Sequence, residues 1–448
     1  SSSAASDVYK RQEFAKRGQK VAVIERSDKM YGGTCINIGC IPTKTLVHQA
    51  KIASGMVGVT FEEKSEFYRN AIAVKDFVTG ILRNKNYHNL ADHPNVTVYT
   101  GMGSFLSADT VAVRTATEEI VLTSKQIIIN TGAETVIPSI EGVVDNPFVY
   151  TSTSIMELTA LPRHLVIVGG GYIGLEFASM YASFGSQVTV LESYPELIAR
   201  EDRDIAASVK ETLEKKGIVF KMNAKVQSVN HTSEKAMVAF TDSQTDEAFE
   251  LEADAVLLAT GRRPNTKELH LEAAGVEVDA RGAIIVDEYL KTTNPRIRAV
   301  GDVKGGLQFT YISLDDYRII REDLFGKAER KTSDRDPVSY SVFIDPPLAR
   351  IGLNEEEARK QNLDIIVKKL PVMAIPRAKT LGETDGLLKA VIDKNTGKIL
   401  GCMLFAPDSS EVINIVALAM KAGQDYTFLR DFIFTHPSMS EALNDLFS

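Results

Sequence analysis

Short apolar runs alternate with helical patterns along two stretches of the chain, as is typical of βαβ units. Residues 165–192 (LVIVGGGYIGLEFASMYASFGSQVTVLE) contain an apolar strand, a run of glycines, a helix of small and apolar residues, a second strand and a terminal acid, Glu192. Residues 13–25 (EFAKRGQKVAVIE) show the second half of the same pattern and end at Glu25. The repetition predicts an α/β fold with two Rossmann-like domains.

The rest of the pattern places the other elements. Strands that end in Thr-Gly occur in residues 127–134 (IIINTGAE) and 255–264 (AVLLATGRRP), once in each predicted domain. Residues 292–316 are expected to return to the first domain before a helix. From about residue 336 strands alternate with helices, which predicts a separate α+β domain.

The first half of the N-terminal unit is missing from the pattern. Residues 1–12 (SSSAASDVYKRQ) contain neither an apolar strand nor a glycine-rich turn. The hexapeptide DVYKRQ matches one reading frame of a common sequencing-transposon end, so we interpret residues 7–12 as a junction and expect residues 1–12 to be non-native. The natural first strand and its glycine turn would then be absent.

Composition narrows the class of protein. The 448 residues are 44% apolar and carry 51 basic and 59 acidic side chains, for a net charge of −8, which is enough chain for about three domains. The acidic balance gives no electrostatic footprint for nucleic acid or an anionic membrane. With no membrane-length apolar run and no signal-peptide pattern, we expect a cytoplasmic protein with neither nucleic acid nor membrane as a partner.

A glycine motif points to a nucleotide. Gly169, Gly171 and Gly174 fit G-x-G-x-x-G directly after a strand and at a helix start, where backbone N–H groups can bind a pyrophosphate. Glu192 is placed to accept hydrogen bonds from the adenosine ribose, which favours NADH over NADPH. Two alternatives stay open: a turn that only packs a helix on a sheet, and Arg200 reaching a 2′-phosphate. Glu25 is either the equivalent acid for a second nucleotide or an ordinary strand-end residue.

The chain has three cysteines, of which Cys35 and Cys40 lie in GGTCINIGCIPTK. Pro42 suits the first turn of a helix, so Cys40 would lie near a positive helix terminus that lowers its pKa. In a reducing cytosol such a pair favours catalysis over a structural disulfide. A zinc site lacks further ligands, whereas two inert buried thiols remain an alternative. Cys402, in an apolar strand, is predicted to be core.

A histidine near the C-terminus is the candidate acid–base group. His436 lies in THPSMSE with Glu441 five positions later. An imidazole carries protons at neutral pH, and a carboxylate can orient the ring and stabilise its protonated form. The alternative is a helix-capping stretch with an incidental histidine.

Taken together, GGTCINIGCIPTK, GGGYIGLE, ATGRRPN, AVGD and THPSMSE resemble the class I pyridine nucleotide-disulfide oxidoreductases, the family of glutathione reductase, dihydrolipoamide dehydrogenase and mercuric reductase. The resemblance spans residues 13–448. It implies a homodimer in which each chain binds FAD and NADH or NADPH and the C-terminal dimerisation domain lends its histidine to the partner's site. The implied domains are 1–149 and 268–334 for FAD, 150–267 for NAD(P), and 335–448 for dimerisation.

The resemblance also implies roles for residues. Cys40 would face the flavin and Cys35 the substrate, while Lys44 and Glu176 would pair beside the flavin. His436 and Glu441 would be the acid–base dyad, acting across the dimer; no metal site is expected. The implied residues for binding FAD or the nicotinamide nucleotide are Glu25, Gly33, Thr34, Lys44, Gly103, Thr131, Gly132, Gly169, Gly171, Tyr172, Ile173, Gly174, Glu192, Gly261, Arg262, Gly301, Asp302, Phe309 and Thr310.

Longer matching segments indicate the substrate. Residues 30–48, 83–92 and 305–319, with the last fifteen residues, resemble bacterial reactive-chlorine-resistance flavoproteins, described as hypothiocyanous acid reductases and as copper(II) reductases. We therefore expect a small thiol-reactive oxidant as substrate. A dihydrolipoamide dehydrogenase is the alternative, whereas the absence of a C-terminal cysteine pair disfavours mercuric reductase. A truncated, flavin-poor chain is the non-enzyme alternative.

Overall fold

The computed structural model describes residues 13–448, so the junction expected in residues 1–12 lies outside the described residues. Its middle part is built on a five-stranded parallel sheet. From one edge to the other, the strands are Val219–Lys221, Gln187–Leu191, His164–Val168, Ala255–Leu258 and Val149–Thr151. The central strands are mostly apolar because both of their faces are covered. Helices Tyr172–Phe184 and Arg203–Lys215 pack against this sheet through a shared core.

A three-stranded antiparallel sheet packs on the other face of the parallel sheet. It consists of Ala224–His231, Ala236–Asp242 and Ala248–Ala253. Its apolar side chains alternate with exposed ones, as expected for a sheet with one face in the core. This arrangement leaves the carboxyl ends of the parallel strands open, which is where α/β sheets bind ligands.

The first nucleotide-binding region contains two pairs of parallel strands. Val21–Glu25 pairs with Val96–Thr100, and Ile127–Ile129 pairs with Ile297–Ala299. The second pair confirms that residues 292–316 return to the first domain. A cavity of about 890 Å³ lies between the edges of Val21–Glu25 and Ile127–Ile129. Further antiparallel strands are Met102–Phe105, Thr110–Arg114 and Glu119–Thr123, and Ala133–Thr135 with Arg262–Pro264.

Helices carry the cysteine motif and its surroundings. Gly33–Asn37 and Cys40–Ser54 are consecutive helices, each with one of the two cysteines. The 31-residue helix Phe61–Ala91 packs beside them and begins with a capping box formed by Thr60 and Glu63. The remaining α-helix of this region is Thr310–Phe325. Along the described chain as a whole, 3₁₀ turns span Asp28–Met30, Ser154–Glu157, Leu271–Ala274, Gly301–Lys304, Thr332–Arg335 and Val372–Ala374.

The C-terminal region has its own sheet and core. Five antiparallel strands follow the order Tyr340–Val342, Leu348–Gly352, Ile399–Phe405, Leu387–Asp393 and Ile365–Pro371. The helices are Glu355–Lys360, Pro376–Leu381, Ser409–Lys421, Tyr426–Arg430 and Ala442–Phe447. Cys402 is fully buried in this core, as predicted.

These elements confirm the predicted α/β architecture with two Rossmann-like parts and a C-terminal α+β domain. The domain boundaries drawn from the sequence stay a prediction. No helix in residues 13–448 is both long and apolar enough to cross a membrane.

Candidate active site

The two cysteines of the motif lie on neighbouring helices. Cys35 is in the middle of helix Gly33–Asn37, and Cys40 is the first residue of helix Cys40–Ser54. Both are free thiols in this structure, with Cys40 exposed and Cys35 partly so. Gly39 allows the close approach, because a Cβ there would lie 3.0 Å from the carbonyl oxygen of Thr34. The predicted helix start at Cys40 is therefore confirmed.

The two thiols differ strongly in acidity. A hydrogen bond from the Cys35 thiol, together with Thr310 and Lys44, lowers the pKa of Cys40 from about 9.0 to about 6. The same hydrogen bond, with burial, raises the pKa of Cys35 well above its usual value. Thr310 Oγ1 lies 3.5 Å from the Cys40 sulfur. At neutral pH this arrangement places the negative charge on Cys40 and the proton on Cys35.

An ion pair lies on the next turn of the Cys40 helix. Lys44 Nζ is 2.6 Å from Glu176 Oε2, which projects from helix Tyr172–Phe184. The other oxygen of Glu176 accepts the backbone N–H of Phe343 at 2.7 Å. Lys44 Nζ also lies 4.6 Å from the centre of the Phe343 ring. The structure thus brings Lys44 and Glu176 together, as predicted. It also places Phe343 beside them, a residue that no sequence motif indicated.

The glycine loop has the geometry of a nucleotide turn. A Cβ at Gly174 would lie 2.0 Å from the carbonyl oxygen of Gly169, and one at Gly169 (φ +108°) would lie 2.6 Å from that of Ala259. Only glycine fits these close approaches. Gly170 N–H donates to Glu192 Oε2 at 2.7 Å. The carboxylate predicted to bind the ribose therefore lies beside the loop.

Tyr172 follows this loop, beside the exposed Ile173, and is anchored by a buried carboxylate. Its hydroxyl donates to Glu201 Oε1 at 2.5 Å, and the Tyr340 hydroxyl donates to the same oxygen. Burial raises the pKa of both tyrosines, with the charge on Glu201 adding to the effect. Arg350 Nη1 lies 3.5 Å from the other oxygen of Glu201. Sequence reasoning missed Glu201 because no local pattern distinguishes it from the other acids of residues 192–204.

The predicted FAD residues border the cavity near the first strand pair. Glu25, Gly103 and Thr131 line it. Asp302 is buried in the turn Gly301–Lys304, and burial raises its pKa while Arg262 and Lys304 oppose that shift. The cavity lies between the open edges of strands Val21–Glu25 and Ile127–Ile129, where a Rossmann-like sheet has a further strand, so its volume does not measure a cofactor pocket. The carboxylates of Glu25 and Asp302 are suited to accept hydrogen bonds from hydroxyl groups of a dinucleotide such as FAD.

The other predicted cofactor residues shape the edges of the same region. Arg262 Nη2 donates to the carbonyl oxygen of Ala133 at 2.6 Å. Phe309 stacks on Tyr311 at 5.1 Å and on Tyr340 at 5.9 Å, just before helix Thr310–Phe325. Positive φ angles mark the turn glycines of this region, which are Gly33 (76°), Gly132 (71°), Gly261 (100°) and Gly301 (67°). Thr34 accepts the N–H of Ile38 through its carbonyl oxygen.

The predicted acid–base dyad is formed. His436 Nδ1 lies 2.8 Å from Glu441 Oε2. The imidazole is 71% exposed, while Glu441 is mostly buried. With Nδ1 engaged, Nε2 is the nitrogen left to exchange a proton with another molecule. Among residues 13–448 of this single chain, the ring of His436 is hydrogen-bonded to Glu441.

Within residues 13–448, no group of three or more His, Cys, Asp or Glu side chains is arranged to hold a metal ion. The two cysteines are accompanied by Thr310 and Lys44, which stabilise a thiolate by hydrogen bonding and charge.

Comparison with known families gives two matches that together span most of the chain. A model described as pyridine nucleotide-disulphide oxidoreductase matches residues 8–316. A model described as the dimerisation domain of the same class matches residues 338–447.

Individual relatives agree with these matches. The probable pyridine nucleotide-disulfide oxidoreductase RclA of Escherichia coli is 51% identical over 97% of this chain and 95% of its own length. A mitochondrial dihydrolipoyl dehydrogenase of Pisum sativum is 34% identical over 96% of this chain and 86% of its own. A solved structure described as a Cu(II) complex of the HOCl-induced flavoprotein disulfide reductase RclA from Escherichia coli has a TM-score of 0.92 and 49% identity, covering 99% of this chain and 96% of that one.

Proposed function

The chain belongs to the pyridine nucleotide-disulphide oxidoreductases, flavoprotein enzymes that use FAD and NAD(P)H, and on that premise we propose that it reduces a small thiol-reactive oxidant such as hypothiocyanous acid. The electrons pass through Cys35 and Cys40, and the role is defence against oxidants in the cytoplasm. The observation that carries the proposal is the pair of accessible thiols with unequal acidity, in which Cys40 has a pKa of about 6.

The chemistry of the chain's own residues follows from that inequality. FAD, when bound, supplies the transfer of two electrons from the nicotinamide nucleotide to the Cys35–Cys40 disulfide. Cys40, stabilised as a thiolate by Thr310 and Lys44, then faces the flavin side, and Cys35 faces substrate. Lys44 and Glu176 hold their charges beside the flavin position through the 2.6 Å ion pair.

In the oxidative half of the cycle, the reduced Cys35 and Cys40 are oxidised to the disulfide while the substrate is reduced. The partner subunit's His436 takes the proton of Cys35, and the Cys35 thiolate attacks the sulfur of hypothiocyanous acid. Hydroxide leaves and takes that proton to become water. Cys40 then attacks the Cys35 sulfur, thiocyanate leaves, and the disulfide is restored. Two electrons pass from the dithiol to the oxidant, and a small oxidant needs only an approachable thiol.

The homodimer is supported by the surface around the dyad. Ile433 is 92% exposed in the C-terminal domain, and the adjacent Phe432 is half exposed; Leu418 of the same domain is 71% exposed. Large apolar side chains that are this exposed are typical of a protein interface. The exposed His436 ring lies in the same segment, so a partner subunit that covers these side chains would receive His436 at its own cysteines.

We propose NADH as the preferred nucleotide. Glu192 is held beside the glycine loop by N–H groups of Gly170 and Tyr194, at 2.7 and 3.0 Å. A carboxylate there accepts hydrogen bonds from ribose hydroxyls and repels a 2′-phosphate. The nucleotide-binding residues and the domain limits 1–149, 150–267, 268–334 and 335–448 are part of this proposal.

Oxidant reduction is favoured over lipoamide turnover by the level of similarity. RclA of Escherichia coli, described as HOCl-induced, is 51% identical, whereas the dihydrolipoyl dehydrogenase of Pisum sativum is 34% identical. Copper(II) is a second candidate substrate, because a solved structure of RclA is a Cu(II) complex.

A substrate comparison tests the proposal. NADH oxidation is measured with hypothiocyanite, glutathione disulfide, mercuric ion and copper(II), and NAD reduction is measured with dihydrolipoamide. We expect the highest kcat/KM with hypothiocyanite. A higher value with dihydrolipoamide would assign the chain to lipoamide turnover. The flavin content of the purified chain distinguishes the enzyme from the non-enzyme alternative. We expect a yellow protein with about one FAD per chain, whereas a colourless protein would support a flavin-poor polypeptide.

A further inference from the structure

The end of the long helix Phe61–Ala91 lies against the loop that carries the cysteines. Arg83, Asn86 and Tyr87 occupy positions i, i+3 and i+4, so their side chains share one face of this helix. They belong to the segment RNKNYHNLAD, which the proposed chemistry does not use. Each of the three contacts a residue within a few positions of Cys35.

The strongest of these contacts joins Arg83 to Asn37. Asn37 is buried and is the last residue of the helix that contains Cys35. Its Nδ2 donates to the carbonyl oxygens of Tyr31 and Gly33, at 3.0 and 2.9 Å. Arg83 Nε donates to its Oδ1 at 2.7 Å. The Asn37 amide thus holds both ends of the short helix, and Arg83 holds the amide.

Two further contacts press on the start of the same helix. The Asn86 side chain packs against Gly32, where a Cβ would lie 3.2 Å from Asn86 Cγ. The ring of Tyr87 packs at a tilt against Tyr31 with 4.7 Å between centroids, and the Tyr31 hydroxyl lies 2.6 Å from Thr100 Oγ1. The helix that carries Cys35 is therefore braced from one side by a single rigid element.

Resting on the proposed redox role of the cysteines, we propose that Arg83 is a positioning residue that favours the Cys35–Cys40 disulfide over the dithiol. The two sulfurs are on separate helices joined by two residues, so their encounter depends on how firmly the Cys35 helix is held. A braced helix raises the effective concentration of one thiol at the other. Without the brace, the reduced pair gains freedom and the disulfide becomes easier to reduce.

The test is a redox equilibrium of the purified full chain under argon. The protein is equilibrated in mixtures of reduced and oxidised dithiothreitol, and thiols are trapped with a maleimide and located by mass spectrometry. Reduction of the disulfide forms two cysteine thiols and one oxidised dithiothreitol. Arg83→Ala is expected to shift the equilibrium about threefold toward the dithiol, because the reduced pair gains freedom when the hydrogen bond to Asn37 is lost. Arg83→Lys, with one donor left, is expected to recover part of the shift.

Three controls make the outcome decisive. Arg69→Ala removes an exposed arginine of the same helix and is expected to match the parent. Asn37→Ala is expected to shift the equilibrium as Arg83→Ala does, with no added effect in the double variant. The proposed role of Arg83 would be contradicted if Arg83→Ala had the same dithiol–disulfide equilibrium as the parent, or if Arg69→Ala shifted that equilibrium by the same amount. If Cys35 and Cys40 of the parent chain never exchange between dithiol and disulfide, the proposed function itself would be contradicted.

Discussion

Cys40 and Thr310 are each the first residue of a helix, and their side chains meet with 3.5 Å between Sγ and Oγ1. Two helix N-termini from distant parts of the chain therefore converge on one sulfur. Because the positive end of a helix stabilises negative charge, both helices favour the Cys40 thiolate. Lys44, one turn further along the first helix, adds a full positive charge.

The Thr310 hydroxyl is expected to contribute to the low pKa of Cys40. Thr310→Val removes a hydrogen-bond donor to the thiolate while keeping the side-chain shape, so the pKa of Cys40 should rise from about 6 by about one unit. Alkylation by iodoacetamide as a function of pH reports this value, because only the thiolate reacts. Thr245→Val, in an exposed turn, is the matched control and should leave the profile unchanged. An unshifted profile in Thr310→Val would remove the hydroxyl from the account.

Variants of Cys35 and Cys402 should have different effects, with turnover lost in the first and only stability lowered in the second. Cys35→Ser is expected to keep reduction of the flavin by NADH but to lose turnover with hypothiocyanite, since the attacking sulfur is gone. Cys402→Ala removes a fully buried thiol from the C-terminal core and should cost about 1 kcal/mol in stability with turnover kept. Stopped-flow absorbance and steady-state rates measure both. Unchanged turnover in Cys35→Ser would refute its assignment as the nucleophile.

Glu192 should set the choice of nucleotide. Glu192→Ala removes the carboxylate beside Gly170, so the KM for NADH is expected to rise about tenfold while that for NADPH changes little. Glu196→Ala, which removes an exposed acid that pairs with Arg203, is the control and should preserve both constants. A parent enzyme that prefers NADPH would contradict this role.

His436 should act on the other subunit. Each single variant, His436→Ala and Cys35→Ser, is expected to lose turnover, by about two orders of magnitude or more for the histidine. A mixed dimer with one subunit of each kind contains one site with an intact cysteine pair and the partner subunit's intact His436. Such dimers, isolated with two affinity tags, should recover about half of the parental rate. Inactive mixed dimers would show that the histidine serves its own chain.

The sequence predicted the parts of the site that depend on local pattern. The helix start at Cys40, the glycine approach at Gly174 and the pairing of His436 with Glu441 all follow from short motifs. The same holds for the parallel strands, because apolar runs of that length favour buried sheets.

Contacts between distant segments could not be predicted. Glu201 is fully buried between Tyr172 and Tyr340, yet no local pattern in the sequence distinguishes it from the other acids of residues 192–204. Arg83 reaches Asn37 only because the long helix turns that face toward the cysteine loop. Such pairs depend on how elements pack, which a single sequence does not encode in any local signal.

The most direct measurement is the fate of the two sulfurs when NADH is added anaerobically to the flavin-replete, full-length protein. The oxidised enzyme is mixed with excess NADH, alkylated and digested, and the modified cysteines are counted. We predict new alkylation at Cys35 and Cys40 with Cys402, which is fully buried, unmodified under native conditions. A protein in which the flavin is reduced while Cys35 and Cys40 remain joined would contradict the account.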